Sequence, residues 1–197
     1  MPSVNAPFGF QPVYHNSGIA KARAYTIASA YAGNIFKGDP VKLVDGGTIE
    51  YGTSDGTGTG TVDGIGLLGI FAGCEFTDAN GKPTYSAYWP GGTTATNIVA
   101  YVWDDPETVF RVQNVGTLTV ADIGEGTDFT VLARTAGTGG STATGLSLST
   151  ATAVVATSGQ FQIIGLDGAP NNAWSDTYVI THVRINEHHY KAAVNSI

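Results

Sequence analysis

Three histidines, His182, His188 and His189, stand close together with Asp176 and Glu187 nearby. Such side chains could build a metal centre, which needs three or four ligands converging and outer partners to orient them. The spacing argues otherwise. His188 and His189 are adjacent, so on extended backbone they point to opposite faces and only one can join His182. Surface or interface histidines are expected, with no metal and no cofactor. Asp104, Asp105 and Glu107 form a second group. Glycosidase chemistry places two carboxylates about 5–10 Å apart across a cleft, whereas neighbouring Asp residues ahead of a proline tend to make turns through their side-chain acceptors. The stretch Asp122–Asp128 lacks the ligand spacing of an EF-hand loop. Cys74 lies in an apolar, strand-like run where a thiol is inert. No Gly-x-Ser-x-Gly elbow occurs, and the Gly-x-Gly stretches at 56–60 and 64–66 open no helix that could cradle a phosphate. No catalytic residue is assigned, and the chain is expected not to be an enzyme.

Two segments are rich in large aromatics instead. Gly81-Lys-Pro-Thr-Tyr-Ser-Ala-Tyr-Trp-Pro-Gly-Gly-Thr93 carries Tyr85, Tyr88 and Trp89 between Gly and Pro residues. It either packs over the end of a β core, anchors an interface, or offers aromatic faces to a glycan. The other segment is the first 38 residues, with Phe8, Phe10, Tyr14, Tyr25, Tyr31 and Phe36. It holds Lys21, Arg23 and Lys37 and no acid, a balance of +3 that leaves −10 for the remainder of a chain whose net charge is −7. A basic, aromatic arm on an acidic body is suited to docking on another surface. Candidate interface residues are Pro7, Phe8, Phe10, Pro12, Tyr14, Lys21 and Arg23 in the arm, with Tyr88, Trp89, Pro90 and Trp103 in the body.

The elements that must position these residues read as strands. Val179, Thr181, Val183 and Ile185 alternate with Ile180, His182 and Arg184, the period of a half-buried strand. Segments 23–29, 97–103, 109–115, 129–133 and 160–164 are β-branched and aromatic. Asp45-Gly46-Gly47 predicts a hairpin turn between 41–44 and 48–51. Helical turns are conceivable only at Thr119–Ile123 and Ser149–Ala153. Segments 53–61 and 135–145 read as Gly/Thr loops, either hairpin tips or exposed insertions. The fold class is therefore all-β, a short-stranded β-barrel or β-sandwich with an extended arm. Pro106 interrupts strand pairing, dividing the chain into an arm (1–22), an N-terminal β region (23–104) and a C-terminal one (105–197). The two regions are either separate small β domains or one continuous body.

Composition narrows the classes further. With 42% hydrophobic and 13% charged residues in 197, the chain is not of the disordered type. A single Cys permits no internal disulfide. The longest apolar run, 65–74, is short of the ~20 residues of a spanning helix, and no basic segment followed by an apolar one opens the sequence. A net charge of −7 disfavours nucleic-acid binding. Neither a membrane nor a nucleic acid is an expected partner.

Several segments together carry a resemblance. They are Ala6-Pro-Phe-Gly-Phe-Gln-Pro12, Gly38-Asp-Pro-Val-Lys-Leu-Val44 with its Gly hairpin, Ile70-Phe-Ala-Gly-Cys-Glu-Phe-Thr-Asp78, Tyr88-Trp-Pro-Gly-Gly92 and the Asn-rich stretch 167–176. The chain resembles head-region structural proteins of tailed bacteriophages, especially capsid decoration (cement) proteins. The resemblance implies a β-rich, non-catalytic protein made in the host cytoplasm and carried on the outer capsid surface of the virion. Its implied partners are the major capsid protein and itself, as a homotrimer. Deleting residues 1–12 is then expected to abolish shell binding and leave the body folded. Another virion component (tail, head fibre or adhesion protein) and a carbohydrate-binding module using Tyr88, Trp89 and Trp103 are the alternatives.

Overall fold

β-branched and aromatic residues hold the backbone extended almost throughout. The computed structural model describes residues 4–52, 66–130, 139–155 and 159–191. Its strands begin with β1 (Gln11–Tyr14), β2 (Arg23–Tyr25), β3 (Ile35–Phe36), β4 (Pro40–Val44) and β5 (Thr48–Tyr51). Next come β6 (Gly69–Thr77), β7 (Pro83–Ser86), β8 (Tyr88–Trp89), β9 (Thr96–Trp103) and β10 (Val109–Gln113). The remainder are β11 (Gly126–Phe129), β12 (Gly140–Ser141), β13 (Leu146–Ser147), β14 (Ala151–Val155), β15 (Phe161–Leu166) and β16 (Ile180–Ile185). One 3-10 turn, Val120–Asp122, stands where a helical turn was conceivable.

The strands build two open antiparallel sheets, neither of them closed into a barrel. One has the order β2-β9-β6-β4-β5, with β7 also pairing with β6; the other has the order β1-β10-β16-β15-β11-β14. The first sheet uses only residues of 23–104. The second uses only residues beyond 105, except for its edge strand β1, which comes from the arm. The small pairs β3-β8 and β12-β13 complete the fold.

The Gly hairpin forms as predicted: Gly46 and Gly47 take positive φ, open to glycine at little cost, and Val44 sits opposite Thr48. β16 alternates as predicted, with Thr181, Val183 and Ile185 buried. Other expectations change. Ser149–Ala153 contains no helical turn, since β14 runs extended against β11. The strand expected at 129–133 starts earlier, at Gly126, and residues 131–133 lie outside the described ones. β2 ends at Tyr25, and Thr26 adds only a bridge to Thr48. Within 135–145, residues 142–145 form the turn of the β12-β13 hairpin, one of the two uses expected of that loop, and 135–138 lie outside the described residues. The predicted loop at 53–61 lies outside the described residues.

One cluster of buried apolar side chains draws on both sheets. Its spine is a run of rings: Phe10 stacks on Phe161 at 4.4 Å, Phe161 meets Phe129 edge-on at 6.2 Å, and Phe129 meets Tyr51 at 6.1 Å. Offset and edge-on geometries are those aromatic quadrupoles favour. Polar ties reinforce this join. The buried carboxylate of Asp39 accepts the Phe36 N–H at 2.7 Å, the Ser149 hydroxyl at 3.2 Å and the Ser147 hydroxyl. Buried charge is tolerated when donors surround it in this way. Residues 186–191 form a strap beside Leu67, whose N–H donates to the Glu187 carbonyl and whose carbonyl accepts from His189 N–H.

Candidate functional site

The arm lies along the edge of the second sheet, held by residues of β10. Gln113 is buried and clamps the arm backbone from both sides of its amide: Ala6 N–H donates to Oε1 at 3.0 Å, and Nε2 donates to the Val4 carbonyl at 2.8 Å. Arg111 donates through Nε and Nη2 to Gln11 Oε1, at 3.0 and 2.7 Å, and its guanidinium stands 5.6 Å from the Phe8 ring centre. Gly9 takes positive φ, and a Cβ there would stand 2.7 Å from that of Ser147. The chain can therefore dip to bury Phe10, whose N–H donates to the Gly38 carbonyl at 2.9 Å. β1 then pairs with β10 through a register shift between Pro12 and Tyr14. Pro12 and the shift blunt this sheet edge against further strand pairing. Beyond it, the Tyr14 ring meets His182 edge-on at 6.5 Å, and His15 Nε2 lies 3.3 Å from Asp105 Oδ2.

Two cavities flank the arm and share Phe8. One, of about 400 Å³, is lined by Val4, Ala6 and Phe8 against Pro170, Tyr178 and Ile180. The other, of about 360 Å³, is a groove between Phe8, Phe10, Pro12, Lys37, Trp103 and Leu146. Lys37 Nζ stands 5.9 Å from the Trp103 ring centre, within cation–π range. Four expected interface residues, Phe8, Phe10, Pro12 and Trp103, are thus brought to one place.

Other expected interface residues go elsewhere. Phe10 and Trp89 are fully buried. The exposed-anchor role is corrected for both: their rings are part of the core, and Phe10 only floors the groove. Trp89 packs edge-on to Phe76 at 5.3 Å and donates its indole N–H to the Tyr31 carbonyl. Its loop fits because Gly91 passes close to the chain, where a Cβ would fall 2.1 Å from the Ala32 carbonyl oxygen. Tyr88 is half-buried and stacks on Phe36 at 5.4 Å. Half-buried Pro90 accepts the Thr93 hydroxyl at 2.6 Å. Pro7 is half-buried, Tyr14 and Lys21 are exposed, and Arg23 reaches Asp104 at 3.4 Å. Because Phe10 belongs to the core, deletion of residues 1–12 would remove a packed ring along with the arm. The body is therefore not expected to survive that deletion intact.

The groups weighed for chemistry are drawn into structural ties. Asp105 makes the expected Asx turn, accepting Glu107 N–H on Oδ1 at 2.9 Å. Buried Asp104 accepts the Tyr25 hydroxyl at 2.6 Å, and burial, aided by this carboxylate, raises the Tyr25 phenol above its ordinary pKa. Glu107 pairs with Lys191 at 2.7 Å and Arg184 at 3.6 Å, and the Lys191 hydrogen bond holds its carboxyl below the usual range. His182 bonds Asp167 at 2.9 Å on β16, whereas His188 is buried in the strap and pushed down by desolvation. The structure therefore separates these two histidines. Asp122 accepts the Thr119 N–H at 2.6 Å and Asp128 accepts the Gln160 N–H at 3.1 Å. Burial pushes the Cys74 thiol up to about 12. Among the described residues no group of three or more His, Cys, Asp or Glu is placed to hold a metal ion, and no helix is long and apolar enough to cross a membrane.

The sequence reading missed Gln113, Arg111 and Leu146 as part of this face, and Lys37 as its cation. Only Lys37 left a signal, beside Phe36 in the acid-free segment. Comparison with protein-family models, with curated proteins and with solved structures returned no match.

Proposed function

We propose that this chain is a non-enzymatic virion structural protein of a tailed phage, bound to the outer capsid surface as a homotrimer and stabilising the shell by clamping neighbouring major capsid protein subunits. The observation that carries this reading is the arm. Val4, Val13, Tyr14 and Ile19, four of the ten large apolar residues exposed among those described, fall within residues 4–19. Apolar surface concentrated in this way marks an interaction face more often than an idle surface. The arm is also preorganised: its backbone is fixed to β10 and Gln113 before any partner arrives, so little ordering entropy opposes docking. Many identical contacts on a lattice of subunits then act together.

The test is the copy number of this chain in purified tailed-phage particles, by quantitative mass spectrometry against the major capsid protein. The expected result is a count comparable to that of the capsid protein. A handful of copies would move the chain to the tail or a vertex, and absence from particles would overturn a virion role.

A further inference from the structure

We propose that the groove between the arm and Trp103 takes an acidic, apolar-bearing segment of a partner protein, which under the function proposed above is a surface segment of the shell protein. One cation, Lys37, lines the groove, and a second, Arg111, contacts two of its lining residues, Gln11 and Phe8. Lys37 Nζ stands over Trp103, Arg111 stands over Phe8, and among the described residues neither has a carboxylate within ion-pair distance. Arg111 spends two of its three guanidinium nitrogens on Gln11, which fixes its plane and leaves the third for a ligand. Lys37 is fixed by its backbone: its N–H donates to the Ala87 and Gly145 carbonyls, and its carbonyl accepts from Ser147 N–H.

The acids nearest in the sequence to these cations are committed elsewhere: Glu107, four residues before Arg111, pairs with Lys191 and Arg184, and Asp105 with His15. Asp39 is buried among hydroxyl and N–H donors, and Asp104 holds Tyr25 and Arg23. The face is therefore positive on a chain of net charge −7. The walls are mostly apolar: Phe8, Phe10, Pro12, Trp103 and Leu146, with Gln11 beside them, line about 360 Å³, room for one or two side chains. A Leu or Phe with carboxylates beside it meets the apolar walls and the cations together. A nucleic acid would also meet cations and aromatic rings, but the acidic remainder of the chain repels a polyanion along its length, whereas a short acidic segment meets only the local charge.

The test titrates fluorescein-labelled twelve-residue peptides, one alternating Glu with Leu and Phe and one with Lys in place of Glu, together with an oligo-dT of similar length. Wild type and Lys37→Glu are compared, both checked for an unchanged thermal melt, and Lys37→Gln serves as a milder second variant. The acidic peptide is expected to bind wild type, to weaken with salt, and to lose about tenfold in affinity in Lys37→Glu. Lys37→Gln should fall between, and neither the basic peptide nor oligo-dT should bind. Failure of the acidic peptide, equal affinity in wild type and Lys37→Glu, or preference for oligo-dT would each overturn the proposal. Shell loading separates this inference from the function it rests on. Lys37→Glu that loads shells as well as wild type would sink the groove while the shell reading stands. A wild type that fails to load shells but binds the acidic peptide would sink the shell reading alone.

Discussion

The arm and the Trp89 loop are written in the same letters, Pro, Gly and large aromatics, and the fold puts them to opposite uses. Around Trp89 the chain is stitched within its own half: β7 pairs with β6 and β8 with β3. The indole ends fully buried, with its N–H satisfied by Tyr31. The arm is laid onto a sheet made by the other half of the chain. Only Phe10 reaches the core, and Val13, Tyr14 and Ile19 stay exposed. Aromatic content alone says that apolar area will be covered. It does not say by what, because that depends on which strand edge the segment meets.

The strongest way to break this comparison is to treat the Trp89 loop as surface. Trp89→Ala should destabilise the protein by about 3–5 kcal/mol, the cost of emptying a large buried aromatic site, read as a shift in the urea midpoint at unchanged slope. A loss below about 0.5 kcal/mol, usual for surface positions, would mean that the loop is held no more firmly than the arm.

A smaller effect sharpens the comparison by separating the arm from the strap. His188 is buried and its folded pKa is lowered, so the unfolded state binds its proton first as pH falls. Its contribution to stability is present above the ordinary value of about 6.5 and is lost as pH drops from there toward the lowered folded value. Hydrogen exchange, corrected for intrinsic rates, should show the His189 and Lys191 amides losing protection between pH 7 and 5, and losing less in His188→Gln. The Ala6 and Phe10 amides, bonded to the Gln113 amide and the Gly38 carbonyl, have no titrating acceptor and should hold their protection. Equal loss in both places would mean that arm and strap open as one unit.

Local chemistry made much of the fold legible. Period-two alternation marked β16, paired glycines marked the β4-β5 hairpin, and the Asp-Pro sequence marked the turn after β9. Contacts distant in sequence were not legible. Ser149–Ala153 has no apolar period to read, and it is extended because Asn114 and Thr127 both donate to the Thr152 carbonyl beside β11. Asp39 looks like a turn acid beside Pro40, and its partners Ser147 and Ser149 lie more than a hundred residues away. The candidate face was half legible. Composition singled out Phe8, Pro12 and Trp103, but Gln113 and Arg111 belong to it only through the pairing of β1 with β10.

The most direct test uses one tyrosine from each region. Tyr14 in the arm is 46% exposed and Tyr85 in the hairpin before Trp89 is 79% exposed. Hydroxyl-radical footprinting of the free protein and of shells carrying it compares the two in a single digest. Loss of labelling at Tyr14 on shells, with Tyr85 unchanged, is the result predicted for docking through the arm. Protection of Tyr85 with Tyr14 still labelled would contradict it and place the contact on the opposite aromatic segment.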